Sequence, residues 1–395
     1  MVSAAITDFD VIVVGGGPAG SATAIRLADA GLDVLLVEKA RFPRQKLCGE
    51  FISPECLVHF SELGVAGDIK VAGSVDIAET VFYTRRGKGV AVKSEWFGQV
   101  GSLALGLSRA GMDDVLLKRA REVGVAVYEE TTAAGMIFDG DRVIGVRLKN
   151  KDGLETPVTA TLVIDATGRT RSLARRLEKD PRQHGRACQV AFKVHISGAQ
   201  IAAGACEIFA YRGGYGGCNR IENGLYNLCF IADAEDIKRC KSDAERVMRD
   251  VVFTNQRAAT VLEDVVFESE WLAVPIERYG RGDLVPAQGL LTVGDSAAFI
   301  DPFTGSGILL ALESARIIAK AIAENFAADR NFESLVVDYR RQYSSTLDAR
   351  LRVGRLLRHA ASMPFFADAT ISILRVSGGL SRRIARATRL TARSA

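Results

Sequence analysis

The stretch that most narrows the folds open to this chain is FDVIVVGGGPAGSATAIRLADAGLDVLLVE, residues 9–38. Residues 9–14 are a short apolar run rich in β-branched side chains, as expected of a strand buried on both faces. GGGPAG follows at 15–20, then the helix-like SATAIRLADA, a stop at Gly31, and a second apolar run, DVLLVE, ending at Glu38. Strand, glycine-rich turn, helix and strand in this order form a unit whose turn can take a pyrophosphate. Gly15 allows the tight turn, Gly17 lets the backbone approach the phosphates at the helix N-terminus, and Gly20 lets the helix pack close to the strand. Glu38 lies 18 residues after Gly20, where a carboxylate can take the two hydroxyls of an adenosine ribose. An acid at that place fits a free 2′-hydroxyl, so FAD or NAD rather than NADP.

A second pattern far downstream separates these two. GLLTVG at 289–294 reads as another strand, followed by Asp295 and SAAFIDPFTGSGILLALESA. A strand, an acid, a Pro–Gly loop and a small-residue helix make a second helix start that favours anions. Backbone amides near Gly305 and Gly307 would face a flavin pyrimidine, with Asp295 accepting from the ribityl chain. The plainer alternative for Asp295 is a helix cap. With the first motif present, the pair points to FAD.

Between 186 and 280, ACQVAFKVHI, CEIFAYRGGYGGCNRIENGLYNLCFIAD and VVFESEWLAVPI alternate like antiparallel strands joined by Gly-rich turns. The expected fold class is α/β, with a Rossmann-type FAD-binding domain interleaved with an antiparallel β-sheet substrate domain. Residues 1–73, 101–180 and 281–330 make the first, 74–100 and 181–280 the second, and 331–395 a C-terminal helical region. Phe192, Tyr215, Trp271 and Pro275 are candidate pocket residues, with ordinary sheet core as the competing reading.

Composition removes other classes. The 395 residues, 48% hydrophobic, suffice for a large core and more than one module. The net charge of +4 hides an asymmetry: residues 350–395 carry ten Arg and one acid, Asp368, leaving −5 for the remainder. A uniformly basic nucleic-acid binder is therefore not expected. Seven cysteines without CxxC do not read as a disulfide framework, and four scattered histidines give no metal motif. MVSAAITDFD lacks the basic start of a signal peptide, and no apolar run reaches spanning length. The expected setting is cytoplasmic and reducing.

GGGPAG with Glu38, KLCGEFISP, LSRAGMDDVLLKRARE, LVIDATGRTRS and VGDSAAFIDPFTGSGI occur in the order seen in geranylgeranyl reductase-like FAD-dependent oxidoreductases, which this chain resembles over about residues 8–330. That group shares its fold with p-hydroxybenzoate-type aromatic hydroxylases and flavin-dependent halogenases. The resemblance implies FAD contacts from Ala19, Glu38, Cys48, Gly49, Arg109, Val127 (through its backbone), Asp295, Gly307 and Ile308. Arg109 would reach the pyrophosphate or ribityl region; its plain alternative is a cap on a helix over 110–122. Asp165 in LVIDATG reads as structural.

Two reactions stay open. In one, reduced FAD delivers a hydride to a carbon–carbon double bond of a hydrophobic, isoprenoid-like substrate and an acid protonates the neighbouring carbon. In the other, a flavin hydroperoxide hydroxylates an aromatic or polyketide-type substrate. A flavin-binding sensor or scaffold is the non-enzymatic rival. Halogenases of this fold carry W-x-W-x-I-P, whereas residues 271–276 read WLAVPI, which disfavours that activity. No second GxGxxG follows a strand, so NAD(P)H or another donor would bind transiently. The basic tail SGGLSRRIARATRLTARSA admits peripheral contact with an anionic membrane, against a packed helical layer as the alternative. Cys48 is either a small residue lining the cofactor with Gly49 or a proton donor, and Glu50 is the other candidate acid.

Overall fold

The computed structural model describes residues 7–97, 101–178, 189–276, 279–300, 305–329 and 331–362. Thr7–Val14 runs parallel between Val34–Val37 and Glu155–Asp165. Ala126–Tyr128 extends the sheet outside Val34–Val37, and Leu290–Thr292 pairs in parallel with the C-terminal end of Glu155–Asp165. The N-terminal end of that long strand instead joins an antiparallel hairpin, Thr132–Asp139 and Arg142–Lys149.

The unbroken apolar character of Phe9–Val14 has a physical cause here. Val11, Val13 and Leu36 pack under the helices Pro18–Asp29, Arg109–Glu122 and Gly307–Ala327. Ile12, Val14, Leu35 and Val37 pack on the opposite face, against Met136, Val143 and Val146 of the hairpin. A strand covered on both faces has no polar position to spare.

The second sheet has eight strands, with Gln189–Ser197, Tyr226–Asp233, Gly214–Arg220 and Ala205–Tyr211 antiparallel at its centre. Glu79–Tyr83 joins it in parallel beside Ala205–Tyr211, and Gly89–Lys93 follows at the edge. One face, carrying Phe192, Val194, Leu228 and Phe230, is covered by short helices contributing Ile237, Val247 and Val261. The opposite face carries Lys193, His195, Asn227 and Cys229, and residues 45–50 of the first module lie against it.

A small sheet of Phe51–Ile52, Ala104–Gly106 and Val75–Ile77 joins the two modules. There Gly106 is required: a Cβ on it would sit 1.9 Å from the Arg220 carbonyl oxygen. The helix Phe332–Ser362 folds back onto the first module, where the Tyr339 hydroxyl donates to the Thr292 carbonyl at 2.6 Å. No helix among the described residues is long and apolar enough to cross a membrane. The basic tail lies outside the described residues.

Candidate functional site

The glycine-rich turn folds as its spacing requires. Gly15 has φ +114°, and a Cβ there would lie 2.4 Å from the Ala166 oxygen. At Gly20 a Cβ would lie 1.8 Å from the Gly15 oxygen, so only glycine lets the helix sit this close to its strand. Gly17 is the cap of Pro18–Asp29. The point where its Cβ would be faces Arg109 Nη2 at 3.6 Å and Arg44 Nη2 at 4.0 Å. Two guanidinium groups thus converge on a helix N-terminus whose own partial charge is positive.

These arginines share Asp113 as a counter-charge. Asp113, fully buried, accepts from Arg109 Nε at 2.8 Å, Arg109 Nη2 at 2.7 Å and Arg44 Nη1 at 2.9 Å. Burial works against the charge on Arg109, but Asp113 overrides it and holds the guanidinium above its ordinary range, with Cys48 contributing. Arg44 also stacks over Phe42, 4.3 Å from the ring centroid, and its Nε is buried without a partner among the described residues. A buried orphan donor and two guanidinium groups facing a helix N-terminus are what a pyrophosphate would satisfy, so the cradle fits a dinucleotide. The sequence reading missed Arg44 and Asp113. Asp113 stands four residues after Arg109 on the expected helix, a spacing that signals a pair.

Glu38, nearly buried, accepts from the Gly16 amide at 2.9 Å and the Ala40 amide at 3.0 Å, with Arg44 Nη2 at 3.4 Å. Val127 lies on the neighbouring strand, and the Glu38 amide donates to the next residue, Tyr128, at 2.8 Å. The downstream motif meets the first directly. A Cβ on Gly294, which has φ +62°, would lie 2.6 Å from the Ala19 Cβ, placing Asp295 beside the glycine-rich turn. The start of Gly307–Ala327, with buried Ile308, approaches the same region, and a Cβ added at Gly305, which has φ +58°, would lie 3.3 Å from the Phe51 ring. Asp165 is a structural hub: its carboxylate accepts from the amides of Thr167, Leu173 and Ala174 and from the Thr167 and Ser296 hydroxyls.

Burial pushes the Asp295 carboxyl up to about 6, against the pull of Arg169 and Arg109. A carboxyl raised on folding binds its proton more tightly in the native state than in the unfolded chain. Its stabilising contribution is therefore present below about pH 4 and lost as pH rises through about 6. In flavin-free protein, Asp295→Asn should gain thermal stability on the wild type as pH goes from about 4.5 to 7.5. Parallel melting profiles for the two proteins across that range would show the carboxyl is not raised.

Cys48 and Gly49 lie between the arginine pair and the second sheet. The Cys48 sulfur accepts from the Glu50 amide at 3.4 Å and acts on Arg109 from the other side. Beside it Cys229, on the facing strand, is pushed up to about 12 by burial, so its thiol stays protonated. Glu50 requires a correction. Its carboxylate is fully buried and held by the Arg109 amide at 2.7 Å, Lys193 Nζ at 2.5 Å and His195 Nε2 at 2.7 Å. Fully buried and held by these three partners, it is an anchor.

The expected pocket residues divide. Phe192 is buried on the helix-covered face, stacked on Phe230 at 5.1 Å, and Trp271 packs edge-on to Phe230 at 5.6 Å. Both belong to a core on the side away from Cys48, which corrects their assignment to a pocket. Tyr215 lies on the near face with Leu47, Ile231, Tyr279 and Phe299. Tyr279 and Phe299 stack at 5.2 Å with Arg169 over Phe299 at 5.4 Å. Pro275 is exposed on the Leu272–Ile276 strand, where its carbonyl accepts from Arg169 at 3.5 Å. Part of the near face, beside the polar stretch of Lys193, His195 and Asn227, is thus an apolar, aromatic cluster that includes Leu47, the residue before Cys48.

Residues 8–343 match the family model described as FAD binding domain. The chain is 30% identical over 351 residues to a digeranylgeranylglycerophospholipid reductase of Methanosarcina acetivorans, covering 86% of this chain and 81% of that protein. Among solved structures, a geranylgeranyl bacteriochlorophyll reductase-like protein of Thermoplasma acidophilum superposes with a TM-score of 0.81 at 20% identity, over 98% of this chain and 97% of that one. A flavin-dependent brominase gives 0.81 at 20% identity, over 97% and 93%. At these identities the two structures speak for the fold alone.

Proposed function

We propose that this chain, which belongs to the FAD binding domain family and is an FAD-dependent oxidoreductase, reduces carbon–carbon double bonds of a hydrophobic, isoprenoid-like substrate. One observation carries the reading: Cys48, whose sulfur acts on Arg109 of the dinucleotide cradle, directly follows Leu47, which packs with the aromatic, apolar cluster of Tyr215, Tyr279 and Phe299. The curated relative's name, a reductase of a geranylgeranyl lipid, supports it.

In this reading Glu38 takes the adenosine ribose hydroxyls, and the Val127 backbone meets the adenine. Gly15, Gly17, Ala19 and Gly20 admit the pyrophosphate, which Arg44 and Arg109 bind. Asp295 accepts from the ribityl chain, and the backbone of Gly305, Gly307 and Ile308 faces the pyrimidine. Cys48 and Gly49 line the ring. Bound FAD supplies the hydride, itself obtained from NAD(P)H or another donor that docks transiently. With Glu50 sealed under the sheet, Cys48 would be the acid that protonates the substrate carbon. The wall of Tyr215, Leu47, Ile231, Tyr279 and Phe299 excludes water and holds the apolar chain. The basic tail contacts the anionic membrane that carries such a lipid.

The test is single turnover without oxygen. Holoenzyme reduced anaerobically should be re-oxidised by a polyprenyl lipid, and Cys48→Ala should keep its flavin while slowing that step about 100-fold or more. Lipid presented in anionic vesicles should react faster than in detergent at low salt and lose the advantage at high salt. Re-oxidation only after oxygen is added, with a hydroxylated product, would make the enzyme a monooxygenase instead.

A further inference from the structure

The loop that carries Cys48 belongs to the dinucleotide module by sequence, yet the other module grips it. Lys193 Nζ donates to Gln45 Oε1 at 3.1 Å and the Lys46 carbonyl at 3.1 Å as well as to Glu50. His195, two residues along the same face of the strand, donates to the other Glu50 oxygen. Asn227 Nδ2 reaches the Cys48 carbonyl at 3.1 Å, and Asn219 Nδ2 the Glu50 carbonyl at 3.3 Å. Four side chains of the substrate sheet thus hold four residues of the loop, Gln45, Lys46, Cys48 and Glu50.

The conformation they hold is not one Glu50 would choose. Its φ is +51°, in the left-handed region that a non-glycine residue seldom occupies. Such strain persists only where surrounding contacts over-determine it. The result is that the Glu50 carboxylate turns under the sheet while its amide points back to the Cys48 sulfur. Its Oε1 meanwhile takes the first amide of the Arg109–Glu122 helix, so the same carboxylate also sets where Arg109 starts. Lys193 is 1% exposed and His195 5% exposed, so neither meets solvent, and neither is used in the reaction described above.

We propose that Lys193 and His195 are positioning residues that act through Glu50, fixing the Cys48 thiol and the Arg109 guanidinium relative to each other. The proposal deepens the functional reading and rests on its placement of FAD at the glycine-rich turn. It makes the substrate sheet, not the nucleotide module, the element that sets the geometry of the acid and the phosphate clamp.

The experiment compares Lys193→Met, Lys193→Arg and a control, Arg257→Met. Arg257, on the helix Gln256–Val261, pairs at 2.7 Å with buried Glu207 of the same sheet's Ala205–Tyr211 strand. The readouts are the pH profile of Cys48 alkylation by iodoacetamide, followed by peptide mass spectrometry, and the visible spectrum and affinity of added FAD. Lys193→Met should change the alkylation rate about tenfold and perturb the bound-flavin spectrum, with Lys193→Arg restoring much of both. Arg257→Met should lower the melting temperature and leave Cys48 reactivity where it was. Equal effects from Lys193→Met and Arg257→Met overturn the proposal, because they would mark a general loss of structure.

If Lys193→Met does not fold, the wild type still decides the matter. The Glu50 amide should exchange with deuterium as slowly as the central strands, and fast exchange at residues 45–50 overturns the proposal. A wild type that binds no FAD at all would instead sink the functional reading and leave the anchored loop standing.

Discussion

Gly20→Ala is expected to abolish useful flavin binding. The added Cβ would fall 1.8 Å from the Gly15 carbonyl oxygen and 3.0 Å from its carbon, both backbone atoms. No side-chain rotation relieves that overlap, so the helix must move away from its strand and take the phosphate-facing amides with it. Overpacking of this kind costs about 1–3 kcal/mol, with rigid backbone at the upper end. Transferred to binding, roughly 3 kcal/mol is about a 100-fold loss of FAD affinity. Gly67→Ala is the control: nothing lies within 4 Å of its Cβ position, and affinity should not change. Isothermal titration of the flavin-free proteins measures both, and near-equal affinities would remove the glycine-rich turn from the binding site.

Asp113→Asn should cut stability more in flavin-free protein than in holoenzyme. The wild-type carboxylate is fully buried and answers two guanidinium groups at 2.7–2.9 Å. Breaking a buried pair by neutralising one partner costs about 3–5 kcal/mol, because the remaining charges stay desolvated. For a chain of 395 residues that is roughly a 4–6 °C drop in melting temperature. The pyrophosphate of FAD brings its own negative charge to Arg44 and Arg109, so holoenzyme should recover part of the drop. Thermal melts with and without FAD decide it. An equal loss in both would mean that the arginines do not face the cofactor.

How much of this was legible depends on whether a feature is local. The unit from Phe9 to Glu38 could be read because its strand, turn and helix are each announced by residues a few positions apart. The same holds for Arg109 at a helix start, capped by Ser108 accepting from the Gly111 amide at 3.0 Å. Lys193 and His195 left a signal that went unread. Charged residues at every second place in AFKVHI mark the second face of a strand, and a buried lysine implies a carboxylate partner. Glu50 looked like an available acid because sequence shows the residue type and not its three donors. Phe192 and Trp271 looked like pocket residues because aromatic content does not say which way a strand faces.

Taken alone, the sequence announced a dinucleotide-type turn, with Gly15, Gly17, Gly20 and Glu38 in order. Backbone clearance and hydrogen-bond spacing along a few residues decide that, and they do not need the rest of the molecule. Tertiary structure alone decided that Glu50 is an anchor, that Arg44 and Arg109 share Asp113, and that Phe192 turns away from Cys48. Each of those depends on a partner brought from more than sixty residues away, or on which face of a sheet another module covers, as Lys193 and Glu50 show at |i−j| of 143. Period-two alternation tells which residues share a face. Only the packing of the two modules tells which face the loop of residues 45–50 covers.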